Sequence, residues 1–344
     1  IGGRRNIIIN GAMQISQRAT SATGVGASEG YFTLDRFEVA PSTNGRATMS
    51  QSTDTPDGFS NSLKLDCTTA DTSIAAGEYF ILRTCFEGQD LQQFKKGTSS
   101  AEKVTVSFYV KGNASATYTC ELSDTDNTRH NSQTFAVTTS WNRIILTFVG
   151  DTTGAFDNDN AQSLRLGFWL HNGTSYSDAT FASNTWHTAD NKRVGDGQTS
   201  FFDSTDRTFF LTGLQMEVGS QATPFEHRSF GEELALCQRY YELIGVGQPA
   251  KANSTTGIWC GMQFKTQKRA SPSMSLTATD QRFFEFGISN RDTSSASIQQ
   301  TYLNTKSAEI RLEGYSGITA GDTYLSGGLV SDTTADTFIA ESEL

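Results

Sequence analysis

The heptapeptide Val104-Thr-Val-Ser-Phe-Tyr-Val110 alternates apolar and polar side chains without a break. A period of two puts Val104, Val106, Phe108 and Val110 on one face of a strand and turns Thr105, Ser107 and Tyr109 to the other. Its β-branched and aromatic residues suit a pleated, half-buried surface. Working outward, the same rhythm returns at 118–122, 133–137, 142–148, 164–171 and 208–218, with clusters of Gly, Asn, Asp and Thr between the runs. Strands recurring in this way from Asn6 to about Phe225 predict a β-sandwich of the jelly-roll kind.

The chain has 344 residues, which exceeds the usual size of a single core, so two domains are expected. Only 5 prolines accompany abundant Ser, Thr, Gly and Asn, a balance that favours short strands and turns. The net charge of -10 opposes a nucleic-acid role, because phosphate binding needs clustered cations. The close basic groupings, Arg4-Arg5, Lys95-Lys96 and Lys265 to Arg269, read as solvated strand edges or turns. No run of 18 apolar residues occurs, and the start, Ile1-Gly-Gly-Arg-Arg-Asn, lacks an apolar segment followed by a cleavage site. Neither a signal peptide nor membrane insertion is expected, and the missing Met suggests a processed or incomplete N-terminus.

Five cysteines, Cys67, Cys85, Cys120, Cys237 and Cys260, are widely spaced and odd in number. They fit neither a disulfide framework nor a CxxC metal pattern, and read as buried thiols, with a Cys67–Cys85 bridge as the alternative.

One segment changes period. Ser229-Phe-Gly-Glu232 matches a capping box, and Phe230, Leu234, Cys237, Tyr241 and Ile244 follow at spacings of 4, 3, 4 and 3 up to Gly245. The reading is one short amphipathic helix within 228–245, packed on its own sandwich or on the same helix of neighbouring subunits. Strand patterns then resume at 257–265, 273–279, 282–289, 298–303, 308–313, 322–329 and 337–341. The fold class is therefore all-β: an N-terminal jelly roll over 1–227, a connecting helix over 228–245, and a small distal β-sandwich over 246–344. Trp259, Phe264, Phe283, Phe284 and Phe286 are expected to form the distal core.

Two long polar stretches, 151–162 and 172–200, interrupt the strands, and long loops on a β scaffold are where binding residues usually sit. The second carries Tyr176, Phe181, Trp186 and His187 among small polar residues, a composition suited to stacking on a sugar or, alternatively, to anchoring the loop. Tyr176, Trp186 and His187 are the candidate carbohydrate-binding residues, with Tyr315 and Tyr324 as distal alternatives. Paired carboxylates stand at Asp124 and Asp126, Asp157 and Asp159, and Asp203 and Asp206. Such pairs serve turns, calcium or, with the right separation, glycoside hydrolysis. Asp157 and Asp159 are the candidate calcium ligands, and no other cofactor is expected. The four histidines form no HExxH pattern, and GxSxG, Walker A and strand-linked GxGxxG motifs are absent, so no enzyme activity is expected. The sequons at Asn113, Asn172 and Asn253 read as coincidence.

The segment Gln221-Ala-Thr-Pro-Phe-Glu-His-Arg-Ser-Phe-Gly-Glu-Glu-Leu-Ala-Leu-Cys-Gln-Arg-Tyr-Tyr241 resembles tail-fibre and virion surface proteins of tailed phages, especially those of marine bacteria and cyanobacteria. Asn6-Ile-Ile-Ile-Asn-Gly-Ala-Met-Gln14, the Leu34-Asp-Arg-Phe37 run and Phe86-Glu-Gly-Gln-Asp-Leu-Gln92 resemble other marks of that family. The resemblance implies a jelly roll similar to carbohydrate-binding modules, a distal β domain, and a homotrimer on the virion surface, made in the bacterial host cytoplasm. Its implied partners are other virion proteins of tail or capsid and host cell-surface polysaccharide. It implies a tail fibre or adhesin that binds glycan during adsorption, with a structural capsid-attached fibre or decoration protein as the alternative and a polysaccharide depolymerase as the more remote one. In such modules an acidic residue after the opening motif helps hold structural calcium; this chain has Gln14 there. Trp141 in Thr138-Thr-Ser-Trp-Asn-Arg143 resembles a core residue that begins a strand in these modules.

Overall fold

A computed structural model describes residues 4–177, 180–285, 290–329 and 337–344. The chain divides into two compact units, Ile1–Glu233 with Leu344, and Leu234–Glu343.

The first unit is a jelly roll. Its strands run β1 (Ser21–Val25), β2 (Gly30–Tyr31), β3 (Glu38–Ser42), β4 (Arg46–Ser52), β5 (Ser62–Thr69) and β6 (Tyr79–Glu87). They continue with β7 (Val104–Gly112), β8 (Ala116–Asp124), β9 (Arg129–Val137), β10 (Asn142–Phe148), β11 (Gln162–Asn172) and β12 (Thr208–Val218). Two six-stranded antiparallel sheets result, in the orders β1-β4-β5-β12-β7-β10 and β2-β3-β6-β11-β8-β9. Val104, Val106, Phe108 and Val110 all enter the core between them, as their alternation predicts. Opposite them, Thr105 and Ser107 are also buried, because the chain after β12 returns over that face: the Thr105 hydroxyl donates to Gly219 O at 2.8 Å. Gly213 carries φ +59 at a bulge in β12, where an added Cβ would meet the Phe59 ring at 2.7 Å.

The motif Asn6–Gln14 works as a clasp. Glu226 accepts the amides of Arg5 at 2.9 Å and Asn6 at 2.7 Å, Arg228 donates to Ile8 O at 2.9 Å, and the Asn10 amide donates to Glu233 at 2.5 Å. Asn10, at φ +61, also holds Ile15 and Asp35 through its side chain. Gly11 must be glycine, since a Cβ would lie 2.1 Å from Leu214 O. The signature residues therefore tie the start of the unit to its end.

The helix α1 (Phe230–Gln238) is shorter than predicted. The Ser229 hydroxyl accepts the Glu232 amide at 3.3 Å, but the Glu232 carboxylate pairs with Arg4 instead of completing the capping box. Tyr241 and Ile244 belong to a strand, and Phe230 is 59% exposed, so the apolar stripe is broken at both ends. A spacing of 3 is a helical signal, but pairing with a partner strand overrides it for 241–244.

The second unit contains β13 (Tyr241–Ile244), β14 (Pro249–Ala252), β15 (Gly257–Gln263), β16 (Ser273–Leu276) and β17 (Gln281–Glu285). It continues with β18 (Asn290–Thr293), β19 (Ser297–Leu303), β20 (Ser307–Glu313), β21 (Thr323–Leu329) and β22 (Phe338–Glu341). A three-stranded sheet, β13-β22-β16, and a seven-stranded sheet, β18-β17-β21-β14-β15-β20-β19, enclose a core of Ile258, Cys260, Ile310, Leu312, Phe283 and Phe338 among others. Of the predicted core aromatics, Phe283 is buried and Phe264 packs at the core's edge, whereas Phe284 is 39% exposed and Phe286 lies outside the described residues.

The basic groupings are not all solvated. Lys96 is buried between Asp124 at 2.5 Å and Asp151 at 3.2 Å, and Lys268 is buried against Glu242 at 2.6 Å. All five cysteines are buried and none is in a disulfide, so Cys67 and Cys85 form no bridge. Burial raises the thiols of Cys67 and Cys85 to about 11 and that of Cys260 to about 12, and raises that of Cys120 as well. No helix among the described residues is long and apolar enough to cross a membrane.

Candidate functional site

Strand β11 sends Phe168 and Leu170 into the sandwich and Trp169 to the outer face of its sheet. There Trp169 forms a small cluster with Ala40, Ile81 and Val194, flanked by Tyr79 and Tyr176. Tyr176 sits in a single 3-10 turn and packs 5.0 Å from the Trp169 ring and 5.8 Å from Tyr79. The guanidinium of Arg193 covers the Trp169 ring at 4.8 Å and donates to Glu121 at 2.9 and 3.0 Å. Glu121 also accepts the Trp169 indole N–H at 2.5 Å and lies 3.2 Å from His130 Nδ1. Burial pushes the Glu121 carboxyl up, but Arg193 and His130 outweigh it and hold it at about 2. The long loop is thus pinned onto this face by a buried ion pair.

Trp186 and His187 lie elsewhere on the same loop. Trp186 packs against the main core, donates from Nε1 to Val149 O at 2.8 Å, and carries Lys96 over its ring at 5.4 Å. His187 bridges to His130 through both backbone bonds, at 2.8 and 3.0 Å. Burial, then the neighbouring His130, pushes its imidazole pKa down. The structure therefore divides the three predicted loop residues: Tyr176 joins the Trp169 cluster, Trp186 the core, and His187 a backbone bridge.

The carboxylate pairs serve turns and ion pairs. Asp159 accepts the amide of Ala161 at 2.9 Å within its own turn, and the Asp157 amide donates to Asp126 at 3.0 Å. Both Asp157 and Asp159 are exposed. Asp124 accepts the amides of Asp126 and Asn127, and Asp203 pairs with Arg207. After the opening motif, where the resemblance implies calcium, the Gln51 amide nitrogen donates to Met13 O at 2.8 Å and Gln14 O at 3.1 Å. A hydrogen-bond donor aimed at those carbonyls, with glutamine in place of a carboxylate, does not fit a cation there.

Tyr315 and Tyr324 are each 2% exposed in the core of the second unit, so neither offers a ring face to solvent. The exposed aromatics of that unit are different. In β15, Ile258, Cys260 and Met262 point into the core, which turns Trp259, Gly261 and Gln263 outward. The register of β15-β20-β19 aligns Gly261 with Glu309 and Glu309 with Tyr302, while Trp259 stands beside Arg311. Trp259 and Tyr302 lie nearly parallel, 5.5 Å apart at 19°, and Tyr302 is 58% exposed. Trp259 is thus an outer-face residue, not the core residue its sequence context suggests. Next to the pair is an open groove of about 640 Å³ lined by Gln248, Gln263, Asn304, Ser307 and Glu309 as well as Tyr302. An added Cβ on Gly261 would meet nothing within 4 Å, so the groove floor is open. Flat ring faces beside amide, hydroxyl and carboxylate groups can stack on a pyranose and hydrogen-bond its hydroxyls.

Trp141 also lies outside the main core. Its Nε1 donates to Asp54 at 3.0 Å, and its ring packs edge-on to Phe210 with Lys111 above.

No protein-family profile matches the chain, and no curated protein matches it. Among solved structures, a family 11 carbohydrate-binding module from Clostridium thermocellum in complex with a mixed-linked tetrasaccharide is 11% identical, covering 60% of this chain and 99% of that one at TM-score 0.30. A family 61 module in complex with β-1,4-galactotriose is 9% identical, covering 62% and 99% at TM-score 0.32. The enzymatically active domain of tailspike protein 4 from bacteriophage CBA120 is 10% identical, covering 62% and 21% at TM-score 0.31. Likeness at this level carries no functional argument.

Proposed function

We propose that this chain is a non-enzymatic, glycan-binding fibre or adhesin protein, and that the outer face of its seven-stranded distal sheet holds the sugar. The observation that carries the reading is the parallel Trp259–Tyr302 pair beside an open, polar groove. The virion role, assembly as a homotrimer and the host polysaccharide as ligand rest on the resemblance of residues 6–14 and 221–241 to phage fibre proteins. Three sites on one fibre would raise avidity without any new contact.

The test is binding of the purified chain to host cells and their extracted polysaccharide, alongside its mass in solution. A Trp259→Ala/Tyr302→Ala variant is expected to lose at least about tenfold in affinity, roughly 1.4 kcal/mol. Gly261→Val, which leaves both rings in place and suits a strand, should weaken binding by filling the groove floor. Undiminished binding by both variants overturns the site, a monomeric mass overturns the trimer, and shortening of the polysaccharide overturns the non-enzymatic reading.

A further inference from the structure

The first unit gathers three metal-ligating side chains that none of the roles above employs. Asp71 follows β5, Glu78 precedes β6, and His171 stands near the end of β11, just past a bulge between Trp169 and His171. One ligand atom from each lies within 4.8 Å of the others. His171 is fully buried, and its Nε2 has no hydrogen-bond partner among the described residues. It faces Glu78 Oε2 at 3.8 Å, too far for a hydrogen bond.

The surroundings prepare these groups for a cation. On the other side of the ring, His171 Nδ1 is 2.8 Å from the Ser200 hydroxyl. Donation from Nδ1–H to that oxygen leaves the Nε2 lone pair directed at the carboxylates, the arrangement found in metal-bound histidines. Asp71 is oriented by the Thr43 hydroxyl at 2.7 Å and the Asn44 amide at 2.9 Å, and Glu78 by the Ala75 amide at 2.8 Å. No Lys or Arg among the described residues pairs with either carboxylate.

We infer that Asp71, Glu78 and His171 bind a divalent first-row transition ion, zinc being the first to test. An imidazole nitrogen with two carboxylates suits zinc, whereas calcium takes oxygen ligands. Around zinc the ligand atoms would stand about 3.4 Å apart, so the half-buried Glu78 must swing inward by roughly 1 Å. A bound ion would staple residues 43–45 and 71–78 to the root of the long loop that begins after β11 and comes back at Ser200. This site is independent of any glycan binding.

The full chain, stripped with chelator, is titrated with ZnCl₂, MnCl₂ and CaCl₂ by calorimetry, with metal content measured after dialysis. One zinc per chain is expected, with a Tm several degrees higher in zinc than in chelator and little response to calcium. Cobalt(II) should give the visible absorption bands of a low-symmetry N/O site. Glu78→Gln should weaken zinc binding at least about tenfold while keeping the wild-type Tm in chelator, and Asp157→Asn/Asp159→Asn should bind as wild type does. No retained zinc, or equal affinity in Glu78→Gln, overturns the assignment.

Discussion

Trp169 and Trp259 occupy matching places, each in mid-strand on the outer face of a sheet, yet one is sealed and the other is open. Trp169 is 1% exposed because the chain after β11 comes back across it and Arg193 locks that return to Glu121. Trp259 stays partly exposed, stacked on Tyr302, which keeps 58% of its surface, and flanked in the register by Lys251 and Arg311. Both rings began as the outward residue of an alternating strand. What separates them is whether a later segment carries the charge that can dock on that face. A polar loop rich in aromatics can therefore consume a binding face instead of creating one.

The largest expected effect breaks the seal. Glu121→Ala removes the buried carboxylate of the partly buried Arg193, leaving it Asp190, and should cost about 3 kcal/mol in urea denaturation, with faster proteolysis of the 173–200 loop. A loss under about 1 kcal/mol would show that apolar contact alone closes the face. The same pair predicts a pH dependence. The folded-state pKa of Glu121, about 2, lies below its unfolded value, so its contribution is present above about pH 4.5 and is lost as pH falls through 2. That loss should be on the order of 3 kcal/mol and should be missing from Glu121→Ala. His187 adds a smaller decline below about pH 6.5, since its lowered pKa lets the unfolded chain take up the proton first.

Next comes Trp186→Ala, expected to cost about 2–3 kcal/mol because the ring packs on the core and bonds Val149 O, while glycan binding stays at the wild-type level. Weakened adsorption at unchanged stability would return Trp186 to the binding surface. The smallest effect belongs to the open face: Trp259→Ala should change stability by less than about 1 kcal/mol. A larger change would mean that Trp259 is also a structural residue.

Much of the architecture was legible because strand alternation is a local signal. Val104 to Val110 reads its own burial, and the strands at 142–148 and 208–218 fall where their pattern puts them. The helix was legible in its start but not its end, since the spacing of Tyr241 and Ile244 is helical and only their pairing with Glu341 and Phe338 makes them a strand. The site was less legible for a different reason. Tyr315 and Tyr324 look like any surface tyrosine, and only three-dimensional packing hides them. Trp259 could have been found: Ile258, Cys260 and Met262 already mark the inward side of β15. Asp71, Glu78 and His171 could not, because two stand in the β5–β6 connection and the third on β11, about a hundred residues away.

The clasp made by the opening motif sets an order of events during synthesis. The Asn10–Glu233 hydrogen bond joins residues 223 positions apart, and Glu226 and Arg228 close similar spans. At about 5–20 residues per second, Asn10 waits roughly 10–45 s on the ribosome before its partner is made. For most of that wait β5 and β7 lack β12, the strand that lies between them, so the nascent first unit must remain open-edged until that segment has emerged.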